Sequence, residues 1–249
     1  MKEEGYEPEF SAAVNITSST TGLLIPPSNV LIVYSLASGG VSIAALFLAG
    51  YLPGILIGLT LMFISGYFAY RKKYPVGDRV SFTYVIKTFV DALPSLFLLV
   101  LIIGGIVAGI FTATEASAVA VLYTFILTVF IYKEIKIKDI PKILLSSTNT
   151  NSIVMLLIAT SMGMSWVMSY EDIPQSVSDG LLSISDNGIV ILLLINLILL
   201  FVGIFMDMTP AVLIFTPIFL PIVTSLGIDP IHFGIIMVMN LCIGLCTPP

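Results

Sequence analysis

Long apolar runs separated by short polar clusters make up almost the whole chain. The runs at 43–70, 92–132 and 143–168 are long enough to cross roughly 30 Å of hydrocarbon once or twice. The pattern predicts helices throughout: a broken helix over 10–38 and spans over 43–70, 92–109, 115–132 and 143–168. Polar residues scattered through 81–92 suggest a separate helix lying in the membrane interface. A polar loop is expected at 171–187, then a long apolar stretch at 188–226, then a last helix from Pro230.

Composition agrees with that pattern. Apolar residues are 57% of the chain and charged residues 10%, against about 25% charged in soluble domains. Mean hydropathy is +1.09. A multi-pass protein in a lipid bilayer is expected. The net charge of −5 argues against a nucleic-acid partner. No metal-ligand spacing or phosphate loop is present, so no cofactor is expected. Cys242 and Cys246, four apart in an apolar segment, are read as packing residues. The opening Met1-Lys2-Glu3-Glu4 does not have the basic-then-apolar form of a signal peptide.

The basic residues set an expected topology. Apart from Lys2 they fall at Arg71, Lys72, Lys73, Arg79 and Lys87, and at Lys133, Lys136, Lys138 and Lys142. The segment 171–187 carries Glu171, Asp172, Asp179 and Asp186 and no base. Short cytoplasmic loops are rich in Lys and Arg, so the basic clusters go inside and the acidic segment outside. The stretch 188–226 must then start and finish outside. It could be two full spans or a hairpin that dips in and turns; its two arms are short for spans, and its turn around Gly203–Pro210 has no base. Both features favour a re-entrant hairpin with a tip buried in protein, the one setting that tolerates such backbone at membrane depth. Trp166 and Tyr170 fit an aromatic belt beside the outer segment.

The chain also repeats its punctuation. Gly5-Tyr6-Glu7-Pro8 and Gly22-Leu23-Leu24-Ile25-Pro26-Pro27 recur as Gly227-Ile228-Asp229-Pro230 and Gly244-Leu245-Cys246-Thr247-Pro248-Pro249. The offset is constant (227 − 5 = 222, 248 − 26 = 222). The two copies start on opposite sides, so the repeats are inverted. Residues 1–75 are assigned to the end of a first inverted repeat and 76–249 to a second, truncated one. Two broken helices in matching halves point to a secondary transporter and to its site.

The breaks carry the chemistry. Each double proline removes two backbone donors, so carbonyls near Gly22, Ile25, Gly244 and Thr247 are expected to be free. Such oxygens, with hydroxyls, suit a hard monovalent cation such as sodium. Half-helix N-termini nearby suit an anion. Around the first break stand Thr17, Ser18, Ser19, Thr20, Thr21, Ser28 and Asn29. The competing reading is a proline kink with hydroxyl back-bonding. Asp207 is an acid at membrane depth, and it is equally placed to cap the helix beginning at Thr209-Pro210. Glu115 reads as a helix cap behind Thr112, and His232 as structural at a helix start. Asp207 has no partner acid and His232 stands alone, so an intramembrane enzyme is not expected.

These residues resemble the large membrane subunit, the DctM-like component, of tripartite ATP-independent periplasmic (TRAP) transporters. The supporting strings are Gly22-Leu-Leu-Ile-Pro-Pro-Ser28, Phe47-Leu-Ala-Gly-Tyr-Leu-Pro-Gly54, Gly104 through Ala116, Gly203-Ile-Phe-Met-Asp207 and Leu226 through Pro249. Ala113 stands where the family usually has proline. The resemblance implies an elevator-type, sodium-coupled importer of organic anions such as C4-dicarboxylates or sialic acids in a bacterial or archaeal cytoplasmic membrane. It implies a periplasmic binding protein and a small four-helix membrane subunit as partners. It also implies a fragment, lacking the first spans, a first re-entrant hairpin and the end of the last helix. One sodium is expected at the carbonyls of Gly22, Ile25 and Pro27. A second is expected where Asp207 or Thr209 meets Gly244, Thr247 and Pro249. The substrate carboxylate is placed between them, near Ser18 and Asn240, themselves 222 apart. The runner-up is a sodium/divalent-anion symporter that works without a binding protein.

Overall fold

The computed structural model describes residues 5–74, 80–185 and 187–247, and no strand occurs among them. α1 (Pro8–Leu24) begins with proline in its first turn, where no donor is lost, and ends ahead of Pro26 and Pro27. Ser28 caps α2 (Asn29–Ala37) by accepting the Leu31 N–H, and the axis bends by 50° between the two helices. α3 (Ile43–Lys72), capped by Ser42, is 30 residues long.

α4 (Phe82–Val107) corrects one expectation. There is no separate interfacial helix at 81–92 but one continuous 26-residue helix. Residues 82–93 include no glycine, proline or asparagine, and Pro94 is accommodated inside the helix without ending it. α5 (Ala113–Ile126) starts in a capping box in which Thr112 and Glu115 satisfy each other's backbone donors, as expected, and runs on as a π-helical turn at Leu127–Ile131. A 3-10 turn (Ile137–Asp139) leads into α6 (Ile140–Tyr170).

The polar loop expected at 171–187 is also corrected, because it contains α7 (Ile173–Ile184). Ile173, Val177, Leu181 and Ile184 recur at helical spacing, and Leu181 is buried. Counting charges had hidden that stripe. α8 (Gly188–Phe205) and α9 (Met208–Ser225), of 18 residues each, meet at Met206 and Asp207. α10 (Pro230–Cys246) follows Asp229, whose carboxylate accepts the N–H groups of Ile231 and His232.

The chain divides into two compact units: Met1–Tyr74 with Val154–Pro249, and Pro75–Ile153. Among the described residues six helices are apolar and long enough to cross a membrane, α8 and α9 included, and the bent pair α1–α2 makes up to seven. Large apolar side chains such as Leu52 and Phe63 are exposed on the outer faces, as lipid contact requires. The protein is a multi-pass helical membrane protein.

In the larger unit α10 is central and packs on α8, α9, α1, α3 and α2. Its Phe233, Met237, Val238 and Leu241 are fully buried. Two pairs fix its direction. The Cys246 thiol lies 3.8 Å from the Ile16 carbonyl, and Tyr34 Oη donates to the Pro230 carbonyl at 2.6 Å. High numbers on α10 thus pair with low numbers on α1 and the reverse holds at α2, so α10 runs antiparallel to the α1–α2 pair. At the far end Lys72 donates to Glu7, and the Tyr6 and Tyr74 rings lie 4.7 Å apart. These joined ends are the ones that the charge pattern assigns to the cytoplasm.

The smaller unit holds α4, α5, the π-helical turn and the start of α6. Tyr123 Oη donates to the Pro94 carbonyl at 2.8 Å, and the Ser95 and Tyr132 hydroxyls are 3.1 Å apart. Both bonds tie α4 to the chain leaving α5.

Candidate functional site

At the first break the lost donors are replaced selectively. Pro26 and Pro27 cannot donate to the Gly22 and Leu23 carbonyls. The Ser28 hydroxyl takes over at Leu23 while accepting the Leu31 N–H at 3.3 Å. Ser28 is buried, so both of its bonds are shielded from competing solvent. The Gly22, Ile25 and Pro27 carbonyls have no hydrogen-bond donor among the described residues. The Thr21 hydroxyl beside them is buried and also lacks a partner. The three predicted carbonyl ligands are therefore oxygens without donors within six residues of chain.

α3 makes room for this break. Gly50, Gly54 and Gly58 are spaced four apart and form a ladder along it. A Cβ at Gly50 would stand 2.5 Å from the Leu24 carbonyl oxygen, and one at Gly54 2.6 Å from the Ile25 side chain. The ladder was legible in the sequence as a repeated small-residue spacing and was not read there.

At the second break the structure corrects one expectation. The Gly244 carbonyl is not free: the Thr247 N–H and hydroxyl both donate to it, at 3.0 and 2.5 Å. With Pro248 in the next position, Thr247 is the nearest donor left. Its hydroxyl keeps its lone pairs while donating, so it can still face a cation. Pro249 and Pro248 lie outside the described residues.

The hairpin tip reaches this second break. A Cβ on Gly244 would be 2.8 Å from Gly203 Cα and 2.9 Å from the Leu200 carbonyl oxygen. α8 and α10 therefore cross backbone to backbone just before Asp207 and Thr247. Asp207 is exposed and caps α9, accepting the Met208 N–H at 2.7 Å through Oδ1. Its capping role is thus present, with the second carboxylate oxygen left over. Thr209 is half-buried in the first turn, without a hydrogen-bond partner among the described residues.

Depth follows from the antiparallel packing. Cys246, one residue before the second break, lies beside Ile16, eight residues into α1 and about 12 Å above its start at helical rise. The hairpin tip is thus level with the middle of α1, not with its Glu7 end. The same registry places the two breaks ten residues of α1 apart, Ile25 against the level of residue 15, or about 15 Å. Between them α1, α3 and α10 border a half-open, almost wholly apolar pocket of about 300 Å³ lined by Thr17, Thr20, Ile57, Leu61, Met239 and Cys242 among others.

Ser18 and Asn240, the predicted substrate residues, are not brought together. Ser18 is exposed, and its hydroxyl donates to the Asn15 carbonyl at 3.1 Å. Asn240 turns towards α8, donating to Asn196 Oδ1 at 2.6 Å and to the Ile236 carbonyl at 2.9 Å. Asn196 was missed at the sequence level. It is the lone polar side chain of α8, and that isolation was the available signal.

The model of the tripartite ATP-independent periplasmic transporter, DctM component, matches residues 1–249. Over its whole length the chain is 60% identical to the uncharacterized protein YgiK of Salmonella typhimurium and covers 57% of it. It is 42% identical to the C4-dicarboxylate TRAP transporter large permease protein DctM of Pseudomonas aeruginosa and covers 58% of that protein. It is 38% identical to the sialic acid TRAP transporter large permease protein SiaM of Vibrio cholerae, again covering 58%. The chain thus spans a little over half the length of these relatives. The chain belongs to the DctM component family of TRAP transporters.

Proposed function

We propose that the full-length protein is the large permease subunit of a sodium-coupled TRAP importer for a small organic carboxylate. A periplasmic binding protein delivers the substrate and a small membrane subunit completes the scaffold. The protein sits in a bacterial cytoplasmic membrane and catalyses no covalent chemistry. The observation that carries the reading is the trio of donorless carbonyls at Gly22, Ile25 and Pro27 in a broken helix packed against the antiparallel α10. One sodium is assigned to that trio. A second is assigned to Thr247 with Asp207 or Thr209, and Pro249 completes it. The carboxylate is placed between the two ions, within reach of Ser18 on α1 and of the Asn240 helix. Family membership favours this reading over a symporter working without a binding protein.

The relatives named for C4-dicarboxylates and sialic acid set the first substrates to try. The test is uptake into proteoliposomes by the full-length permease with its small subunit and binding protein. Uptake is expected in sodium and not in potassium or choline. Thr247→Ala and Asp207→Asn are expected to raise the sodium concentration for half-maximal uptake, with Ser178→Ala as the unchanged control. Equal uptake in choline would sink the coupling. Sodium dependence unmoved by both variants would sink the site.

A further inference from the structure

In the smaller unit, α5, the π-helical turn and the start of α6 enclose an apolar groove of about 530 Å³. From α5 and the turn it is lined by Ala120, Thr124 and Thr128 and by Val121, Phe125 and Val129, two rows at four-residue spacing. From α6 it is lined by Ile140, Ile143, Leu144 and Ser147. Val121 and Leu144 are 71% and 61% exposed, too open for a packed core and suited to an apolar chain. The connector closes one end. Lys133 adopts a left-handed turn (φ 55), and the N–H groups of Glu134 and Ile135 both return to the Thr128 carbonyl, at 3.0 and 3.3 Å. That fold-back sets Ile135 into the groove wall. On the same short connector Lys133, Lys136 and Lys138 are exposed beside the exposed Glu134 and Asp139, three bases against two acids, and none of the lysines has an ion-pair partner among the described residues.

We propose that this groove binds one acyl chain of an anionic phospholipid whose headgroup phosphate is held by Lys133, Lys136 and Lys138. An apolar slot beside a connector of net positive charge is complementary to that amphiphile in both of its parts. Anionic headgroups are recognised by basic pockets at the cytoplasmic ends of membrane helices, and the charge pattern places this connector on that side. A zwitterionic lipid would fill the slot equally well and leave the lysines unanswered. Lys142 supplies an internal control. The groove face of α6 is centred on Ile140, Ile143, Leu144 and Ser147. At about 100° per residue Lys142 points to the opposite side.

The experiment uses the full-length permease in detergent, with palmitoyl-oleoyl phosphatidylglycerol and its phosphatidylcholine counterpart as probes and native mass spectrometry as readout. Phosphatidylglycerol is expected to stay bound through delipidation where phosphatidylcholine is lost. Each of Lys133→Gln, Lys136→Gln and Lys138→Gln is expected to weaken retention about fivefold, from the worth of one lysine near an anionic surface. Lys142→Gln is expected to change nothing. Ala120→Phe, which fills the slot and keeps the lysines, is expected to lower retention of both lipids. Equal retention of the two lipids by the wild type would overturn the proposal, as would a triple Lys→Gln variant that still prefers phosphatidylglycerol. A photo-crosslinker at Thr124 is expected to capture lipid. Capture of a polypeptide, either the small subunit or another part of the full-length chain, would show that protein covers the groove and would overturn it too.

Discussion

At the first break a buried serine completes the helix end, while at the second an exposed threonine folds back on its own last turn. Both breaks arise from a double proline behind glycine, so the punctuation is shared and the repair differs. Ser28 bridges across the gap, bonding Leu23 on one side and Leu31 on the other, and three carbonyls remain without donors. Among the described residues the Thr247 hydroxyl donates to the Gly244 and Ile243 carbonyls of its own last turn. The first break is thereby held by its own chain and by the glycine ladder of α3, and the second by the crossing of α8.

The comparison breaks most readily at the crossing. Gly244→Leu is expected to prevent folding of the full-length protein, because backbone already stands where its side chain would begin. The milder Gly244→Ala should cost about 1–3 kcal/mol of stability, read as a lower midpoint of thermal unfolding in detergent. Gly22→Ala, with nothing within 4 Å of its Cβ, should leave that midpoint unmoved. Equal effects at both glycines would remove the distinction between the breaks.

The next largest effect is at Ser28. Ser28→Ala leaves the Leu23 carbonyl without its replacement donor and the Leu31 N–H without a cap, a loss of about 1–3 kcal/mol. Thr247→Val, at an exposed position, should cost less than about 1 kcal/mol. Unfolding midpoints of the two variants should keep that order, and a reversed order would mean that the second break carries the structural load.

Smaller still is the Asn196–Asn240 bond that ties α8 to the last broken helix. A double-mutant cycle with leucine at both positions should give a coupling of about 0.6 kcal/mol, the usual size for polar pairs between membrane helices. No coupling would leave the glycine crossing as the main tie between hairpin and break.

The smallest effect concerns the Glu7–Lys72 pair at the exposed end of α1. The hydrogen bond from Lys72 holds the Glu7 carboxyl below its usual range. A carboxylate with a lowered pKa in the folded state adds stability above its unfolded value and loses it as pH falls through the folded one. The pair should therefore matter at neutral pH and fade only under acid, below the ordinary glutamate range. Glu7→Gln should flatten that part of the pH–stability curve measured by thermal unfolding. An unchanged slope would show that the pair contributes nothing.

The sequence by itself determined the membrane class and the place where α1 must end. Those features are written in one dimension: apolar run length and proline without a donor. It also carried signals that went unread, namely the Gly50–Gly54–Gly58 spacing, the stripe through α7 and the lone Asn196. Only the tertiary structure decided which orphaned oxygens stay orphaned. Proline fixes which donor is lost, but the replacement depends on which hydroxyl the fold brings within reach. Ser28 reaches Leu23, Thr247 reaches Gly244, and among the described residues no donor reaches Gly22, Ile25 or Pro27. The fate of Ser18 and Asn240 was settled the same way. A shared offset makes them equivalent in the repeat, while helix rotation turns one outward and the other to Asn196.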